Sequence, residues 1–387
     1  LKGVEFVQEL ALLRLPTAIE IIKDILSKKG GPLMTDFSNT DPVLEIKNLS
    51  IDYGFTENAA HVLRGVNLTL HEGEVLGLAG ESGCGKSTLV YGATRLLPPP
   101  GLIVGGEVWI KGTNGEKRDL LRLTDKELRE QRWVDEAVVF QGAMNSLNPV
   151  YKVGHQIKDA IQAHRPSWSR DQLQKRSEEL MDMVGISPDR LESFPHQLSG
   201  GMRQRVMIAM ALALDPKVLI MDEPTTALDV VMQRQIVEQI TELRKKLGFA
   251  VIFITHDMSL LIEIADRIAI MYAGQIIEDG PAMDLYDHAR HPYTKGLINS
   301  FPPLHGPRRE LGGIAGTPPD MAKLGKGCPF AERCAYVHDD CRTYEVKLKA
   351  TDIVSDSPTH LAGCILFDEL RSGKELPTEL MLKHREV

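Results

Sequence analysis

Four short apolar runs punctuate the chain: Val75–Ala79 (VLGLA), Ala137–Phe140 (AVVF), Val218–Met221 (VLIM) and Val251–Ile254 (VIFI). Runs this short and this continuous suit strands buried on both faces of a parallel sheet. Val43–Ser50 and Val66–Leu70 instead alternate apolar and polar residues, which predicts half-exposed strands and an antiparallel edge near the start. Helical stretches separate the buried runs, so the expected fold is α/β, a mostly parallel sheet with an antiparallel β edge.

From about Asn148 to residue 198 the pattern turns helical. Ser169 and Gln172 have capping-box spacing, Leu173, Leu180, Met181 and Val184 form an apolar stripe, and Gly185 is a stop signal. This predicts a helical insert in the sheet domain. At the amino end, Ala18, Ile19, Ile22, Ile25 and Leu26 fit one face of an amphipathic helix that Pro16 opens and Gly30–Gly31–Pro32 closes. That helix could pack on its own chain, on a partner or on a membrane surface, and Met34 is an alternative start. Beyond Gly280, FPPLHGP (301–307) and GTPPD (316–320) are rich in breakers. The expected division is therefore an extension (1–40), a core domain (41–280) and a small irregular module (281–387).

Composition narrows the function classes. A formal net charge of −8 gives no general attraction to nucleic acid. No apolar stretch approaches the ~20 residues of a membrane span, so any membrane role must come through partner subunits. Glu5 and Glu9, without a basic cluster, argue against a secretory signal.

The chemistry sits at the ends of the predicted strands. GESGCGKST, Gly80–Thr88, follows VLGLA and precedes an uninterrupted segment, Thr88–Leu97, read as a helix. Glycine spacing of this kind lets backbone N–H groups cradle a β-phosphate at a helix N-terminus. Gly80, Ser82, Gly83, Cys84, Gly85 and Thr88 shape that cradle, Lys86 reaches the β- and γ-phosphates, and Ser87 is a ligand for Mg²⁺. VLIMDE then places Asp222 and Glu223 at the end of a buried strand. Asp222 is suited to hold Mg²⁺ through water, and Glu223 to polarise an attacking water as general base. LSGGM, Leu198–Met202, opens a good helix-forming run and puts Ser199, Gly200 and Gly201 at a second helix N-terminus.

A phosphate loop, LSGGM and a carboxylate pair in this order resemble the nucleotide-binding subunit of ATP-binding cassette (ABC) proteins. The resemblance implies that the serine-glycine helix faces ATP held by an opposite subunit in a head-to-tail dimer. It also implies roles for four more residues. Tyr53 (LSIDYGF) matches the aromatic that stacks on adenine, and Gln141 (VVFQG) the glutamine that contacts Mg²⁺ and relays to transmembrane subunits. Asp229 (TTALD) matches the loop that touches the other subunit, and His256 (FITHD) the histidine at the γ-phosphate. No motif of the set is replaced, which implies a hydrolytically competent ATPase.

FQGAMNSLNPV (140–150), HPYTKGL (291–297) and GCPFAERC (327–334) further resemble the oligopeptide/dipeptide permease branch of ABC importers. That implies a second ATPase subunit (a heterodimer more than a homodimer), two transmembrane permease subunits and an extracytoplasmic substrate-binding protein. The chain would be peripheral, at the cytoplasmic face of the membrane. Peptides head the expected cargo, with oligosaccharides as the alternative. A soluble ABC ATPase acting on DNA or ribosomes is the contrasting possibility. Against it, only 109 residues lie between Thr88 and Leu198, with no room for a long coiled coil, and a single cassette is present.

Cys328, Cys334, Cys341 and Cys364 are spaced x5, x6 and x22. Four thiolates can hold a 4Fe–4S cluster or a zinc ion. Zinc usually takes closer C-x2–4-C pairs, and the resemblance favours the cluster; free structural thiols are the third possibility.

Overall fold

The computed structural model describes residues 37, 40–55, 59–226, 228–300, 312–351, 359–371, 375–377 and 380. The amphipathic helix expected after Pro16 lies outside them. Ser38–Val387 form one compact unit.

Strands β1 (Pro42–Tyr53) and β2 (Ala60–His71) pair antiparallel before β3 (Val75–Ala79). Helix α1 (Lys86–Ala93) follows, then β4 (Gly101–Lys111), β5 (Lys117–Asp119), α2 (Asp125–Gln131) and β6 (Glu136–Val139). The helical insert consists of α3 (Val153–His164) and α4 (Arg170–Met183), which lead to α5 (Gly200–Ala211) and β7 (Val218–Asp222). Next come α6 (Val230–Leu247), β8 (Ala250–Ile254), α7 (Met258–Ile264), β9 (Arg267–Tyr272) and β10 (Gln275–Pro281). The remainder holds α8 (Ala282–Asp287), α9 (Pro292–Asn299), β11 (Lys349–Ala350), β12 (Leu361–Ala362) and α10 (Ile365–Arg371).

The smaller sheet has the order β2-β1-β4-β5 and is antiparallel throughout. The larger runs β11-β12-β10-β9-β3-β8-β7-β6, parallel from β9 to β6 and antiparallel beyond β9. Every residue of β3, β7 and β8 is buried. Alternation along those strands divides the interior in two. Leu219, Met221, Val251 and Phe253 face a core shared with α5, α6 and the insert. Leu76, Leu78, Ile220 and Ile252 face a core shared with the antiparallel sheet.

The Ser169–Gln172 capping box forms as expected at the start of α4. Helix α1 is shorter than expected: it ends at Ala93, and Arg95 takes a positive φ of 53°. Pro98–Pro100 follow closely, and proline disfavours helical geometry in the residue before it. Strands β4, β5, β9 and β10 carried no expectation. The segment after Pro281 adds an edge to the main sheet, where β12 pairs with β10 through Glu278 and Ala362.

Candidate nucleotide site

Strands β3, β8, β7 and β6 are adjacent and parallel, so the loops at their carboxyl ends share one rim of the sheet. Those loops carry the phosphate loop after β3, His256 after β8, Glu223 after β7 and Gln141 after β6. Sheet order thus assembles residues that lie far apart in sequence.

The phosphate loop packs closely against β9. Gly80 has φ +148°, and a Cβ there would stand 2.2 Å from the Met271 carbonyl oxygen, so no side chain fits. Gly85, at φ +109°, caps α1 and turns the chain into the helix. The first N–H groups of α1, including those of Lys86, Ser87 and Thr88, have no acceptor one turn back, leaving a donor-rich, positively polarised end. Lys86 Nζ donates to the carbonyl oxygens of Gly80 at 2.8 Å and Glu81 at 3.0 Å. Ser82 and Gly83 are exposed, and Cys84 is buried, which pushes its thiol pKa up and leaves it a packing group.

Asp222 is fully buried at the end of β7. Its Oδ2 accepts from the Tyr91 hydroxyl at 2.6 Å, and its Oδ1 has no hydrogen-bond partner among the described residues. Burial, together with the adjoining Asp222 carboxylate, drives the Tyr91 hydroxyl pKa up and keeps it a donor. Glu223 has a left-handed backbone (φ +46°), held by its N–H to the Ile254 carbonyl at 3.0 Å. A non-glycine residue there is strained, and such strain is tolerated where surrounding contacts fix it. Glu223 Oε2 accepts from Gln141 Nε2 at 2.8 Å and from Thr226 Oγ1 at 3.0 Å, and His256 Nδ1 stands 3.9 Å from Oε1.

Ser199, Gly200, Gly201, Asp229 and Tyr53 stand apart from this group. The Ser199 side chain accepts from the Met202 N–H at 3.2 Å as the N-cap of α5. Asp229 accepts from the Met232 N–H at 2.9 Å as the N-cap of α6. Both caps are exposed, as are Val230 and Val231 beside the second. No hydrogen bond among the described residues ties either cap to the phosphate loop. Tyr53 is half-buried at the end of β1, in register with Ala60 and Gly101.

The sequence reading missed Tyr91 and Thr226. Tyr91 lies four residues after Ser87, on the same face of α1, and that spacing was the available signal. Thr226 is three residues beyond Glu223 in a turn closed by the Thr226 N–H to the Glu223 carbonyl, at 3.2 Å.

Cys328, Cys334, Cys341 and Cys364 line one cavity together with His291, Phe330, Tyr336 and Tyr344. All are free thiols, and burial pushes Cys328 up to about 11 and Cys364 higher. Among the described residues no group of three or more His, Cys, Asp or Glu side chains forms a site for a metal ion. The thiols share a cavity wall without closing into a coordination sphere. His291 is fully buried; burial lowers its pKa to about 4, so the ring is neutral. Its Nδ1 accepts from the Tyr293 N–H at 3.1 Å, which leaves the proton on Nε2, an atom with no partner among the described residues.

Residues 63–226 match the ABC transporter family, and residues 277–341 match the oligopeptide/dipeptide transporter C-terminal region. The chain is 46% identical over 298 residues to the oligopeptide transport ATP-binding protein OppD of Bacillus subtilis, covering 76% of this chain and 82% of that protein. It is 42% identical to the dipeptide transport ATP-binding protein DppD of the same organism, over 85% of this chain and 96% of that one. Among solved structures, a dimeric ATP-binding cassette in a post-hydrolysis state, bound to ADP and Pi, superposes with a TM-score of 0.54 at 30% identity. That match covers 62% of this chain and 98% of the cassette. A phosphate loop and paired carboxylates on one sheet rim, with a separate serine-glycine helix, in a chain this similar to those proteins, identify it as a member of the ABC transporter ATP-binding family, an ATPase that carries the oligopeptide/dipeptide transporter C-terminal region.

Proposed function

We propose that this ATPase powers the import of peptides through two separate transmembrane subunits, fed by an extracytoplasmic binding protein. The observation that carries the proposal is the C-terminal match at residues 277–341, together with relatives named for oligopeptide and dipeptide transport. Among the described residues no helix is long and apolar enough to cross a membrane, and the proposal assigns the pore to other chains. The exposed caps at Ser199 and Asp229 leave room for a second ATPase subunit to complete the site; that the pair is a heterodimer at the cytoplasmic face of the membrane is the arrangement the family resemblance implies. The test is purification from detergent-extracted membranes, followed by reconstitution with the co-purifying subunits. Peptide-loaded binding protein is expected to stimulate ATP hydrolysis; stimulation by oligosaccharides alone would replace peptides as the cargo.

Within the cassette, which we take as residues 41–280 with its insert at 148–198, we propose the following roles, those of Tyr53, Ser199–Gly201 and Asp229 resting on the family resemblance. Ser82–Thr88 and Lys86 bind the phosphates, Tyr53 stacks on adenine, and Ser199–Gly201 and Asp229 serve the facing subunit's nucleotide. The unpartnered Asp222 Oδ1 fits a hard cation, and oxygen groups on Ser87, Gln141 and Asp222 would hold Mg²⁺. Bound there, the ion would neutralise phosphate charge. Glu223 takes the proton of the attacking water, Gln141 and Thr226 fix its carboxylate, and His256, 3.9 Å from Glu223 Oε1, takes the family's role at the γ-phosphate.

For the module at 281–387 we propose that Cys328, Cys334, Cys341 and Cys364 hold a 4Fe–4S cluster with a structural role. Two features support it: four thiols lining one cavity, and a buried His291 Nε2–H able to donate to a sulfur. Protein purified without oxygen is expected to be brown, with about four irons per chain. Colourless, iron-free protein from the same preparation, or one zinc per chain, would reject the cluster.

A further inference from the structure

Glu81, the second residue of the phosphate loop, is gripped by the C-terminal module. Arg333 lies between Cys328 and Cys334, yet its guanidinium forms a bidentate pair with the Glu81 carboxylate at 2.6 and 3.0 Å. The same guanidinium donates to the Tyr272 hydroxyl at 3.2 Å and, through Nε, to the Ala315 carbonyl at 2.8 Å. Its side chain is only 6% exposed, against 24% for Glu81. Tyr293, from the HPYTKGL segment, accepts the Glu81 N–H on its hydroxyl at 2.8 Å. Phe330 fills the space between, with its ring 5.3 Å from that of Tyr272 and 5.4 Å from that of Tyr293. Since the Glu81 carbonyl accepts from Lys86, all three polar groups of Glu81 are held, two of them by residues beyond 290.

We propose that Arg333 is a positioning residue for the nucleotide site: it neutralises Glu81 and fixes the phosphate loop, so the C-terminal module is part of the ATP-binding apparatus. A carboxylate in a phosphate-binding loop opposes a polyanion unless it is paired. A bidentate guanidinium cancels that charge and also fixes the direction of the side chain. The pairing does not depend on whether the cysteines hold a cluster. It acts on affinity, because Arg333 touches neither Glu223 nor Gln141.

The test measures mant-ATP binding to the full chain with Mg²⁺, with turnover at saturating ATP read in the assembled ATPase. Arg333→Met is expected to weaken binding roughly tenfold, and Arg333→Lys by about threefold, with turnover changed less than about twofold. Glu81→Gln removes the repelling charge and is expected to bind at least as tightly as the parent. Adding Arg333→Met to Glu81→Gln is expected to cost no further affinity, and this pair keeps the experiment decisive should Arg333→Met alone fail to fold. Unchanged affinity in Arg333→Met, or a further tenfold loss in the double variant, overturns the proposal.

Discussion

Glu223→Gln is expected to lower ATP turnover by about two to four orders of magnitude, the usual contribution of a general base, while nucleotide affinity stays within about twofold. The substitution keeps the shape of the side chain. Gln141 and Thr226 both donate to Glu223 Oε2, and an amide oxygen can accept from both. The left-handed backbone at φ +46° is no harder for glutamine than for glutamate, so β7 and its turn should stay in place. What disappears is a basic oxygen able to take a proton from water. Phosphate release and mant-ATP binding separate the two effects. Turnover equal to the parent's would remove Glu223 from its role, whereas a matching loss of affinity would recast it as a binding residue.

How much of this was legible in the sequence depended on the range of each interaction. The buried strands β3, β7 and β8 and the Ser169 capping box were readable because each is set by a local pattern, an apolar run or a cap three residues from its partner. Strands β9 and β10 were not, although RIAIMY is as apolar as its neighbours, because no turn chemistry beyond Ala273–Gly274 marks them. The site shows the same division. Lys86, Asp222 and Glu223 are named by motif spacing, but Gln141 meets Glu223 across 82 residues only because β6 and β7 are neighbours in the sheet. Arg333 is the extreme: it meets Glu81 across 252 residues, and neither segment carries a mark of the other. Long-range charge pairing is a property of the packed fold, and one chain's spacing does not encode it.

Removing the Glu278 side chain is expected to be the most destabilising single change at the junction of sheet and module. Glu278 sits fully buried in β10 and accepts from His360 Nε2 at 2.7 Å and from the N–H groups of Arg290 and His291 at 2.6 and 2.8 Å. His360 is as deeply buried, and its Nδ1 pairs with Asp284 at 2.8 Å. Glu278→Leu strands a buried imidazolium and two amides, a loss of about 3–5 kcal/mol on the scale of broken buried ion pairs. Glu278→Gln keeps an acceptor and should cost less, and chemical denaturation of the full chain measures both. The pH dependence has a definite sign. Burial opposes charge on His360, but the hydrogen bonds its ring N–H groups donate to Asp284 and Glu278 outweigh it and push the group from 6.5 up to about 9. Its contribution is therefore complete below about pH 6.5 and fades as pH rises through about 9. Glu278 and Asp284 are shifted the other way: burial alone would raise them, yet the bonds to His360 hold both below their ordinary values. Their contribution is present near neutrality and lost only in acid. Arg290, which also faces Asp284, and Asp279, which pairs with Arg267, add charges beside the network that do not reverse these signs. The parent should thus lose stability between about pH 7 and 10 more steeply than His360→Leu, which lacks the titrating group. Parallel pH profiles for the two proteins would show that His360 is neutral in the folded chain.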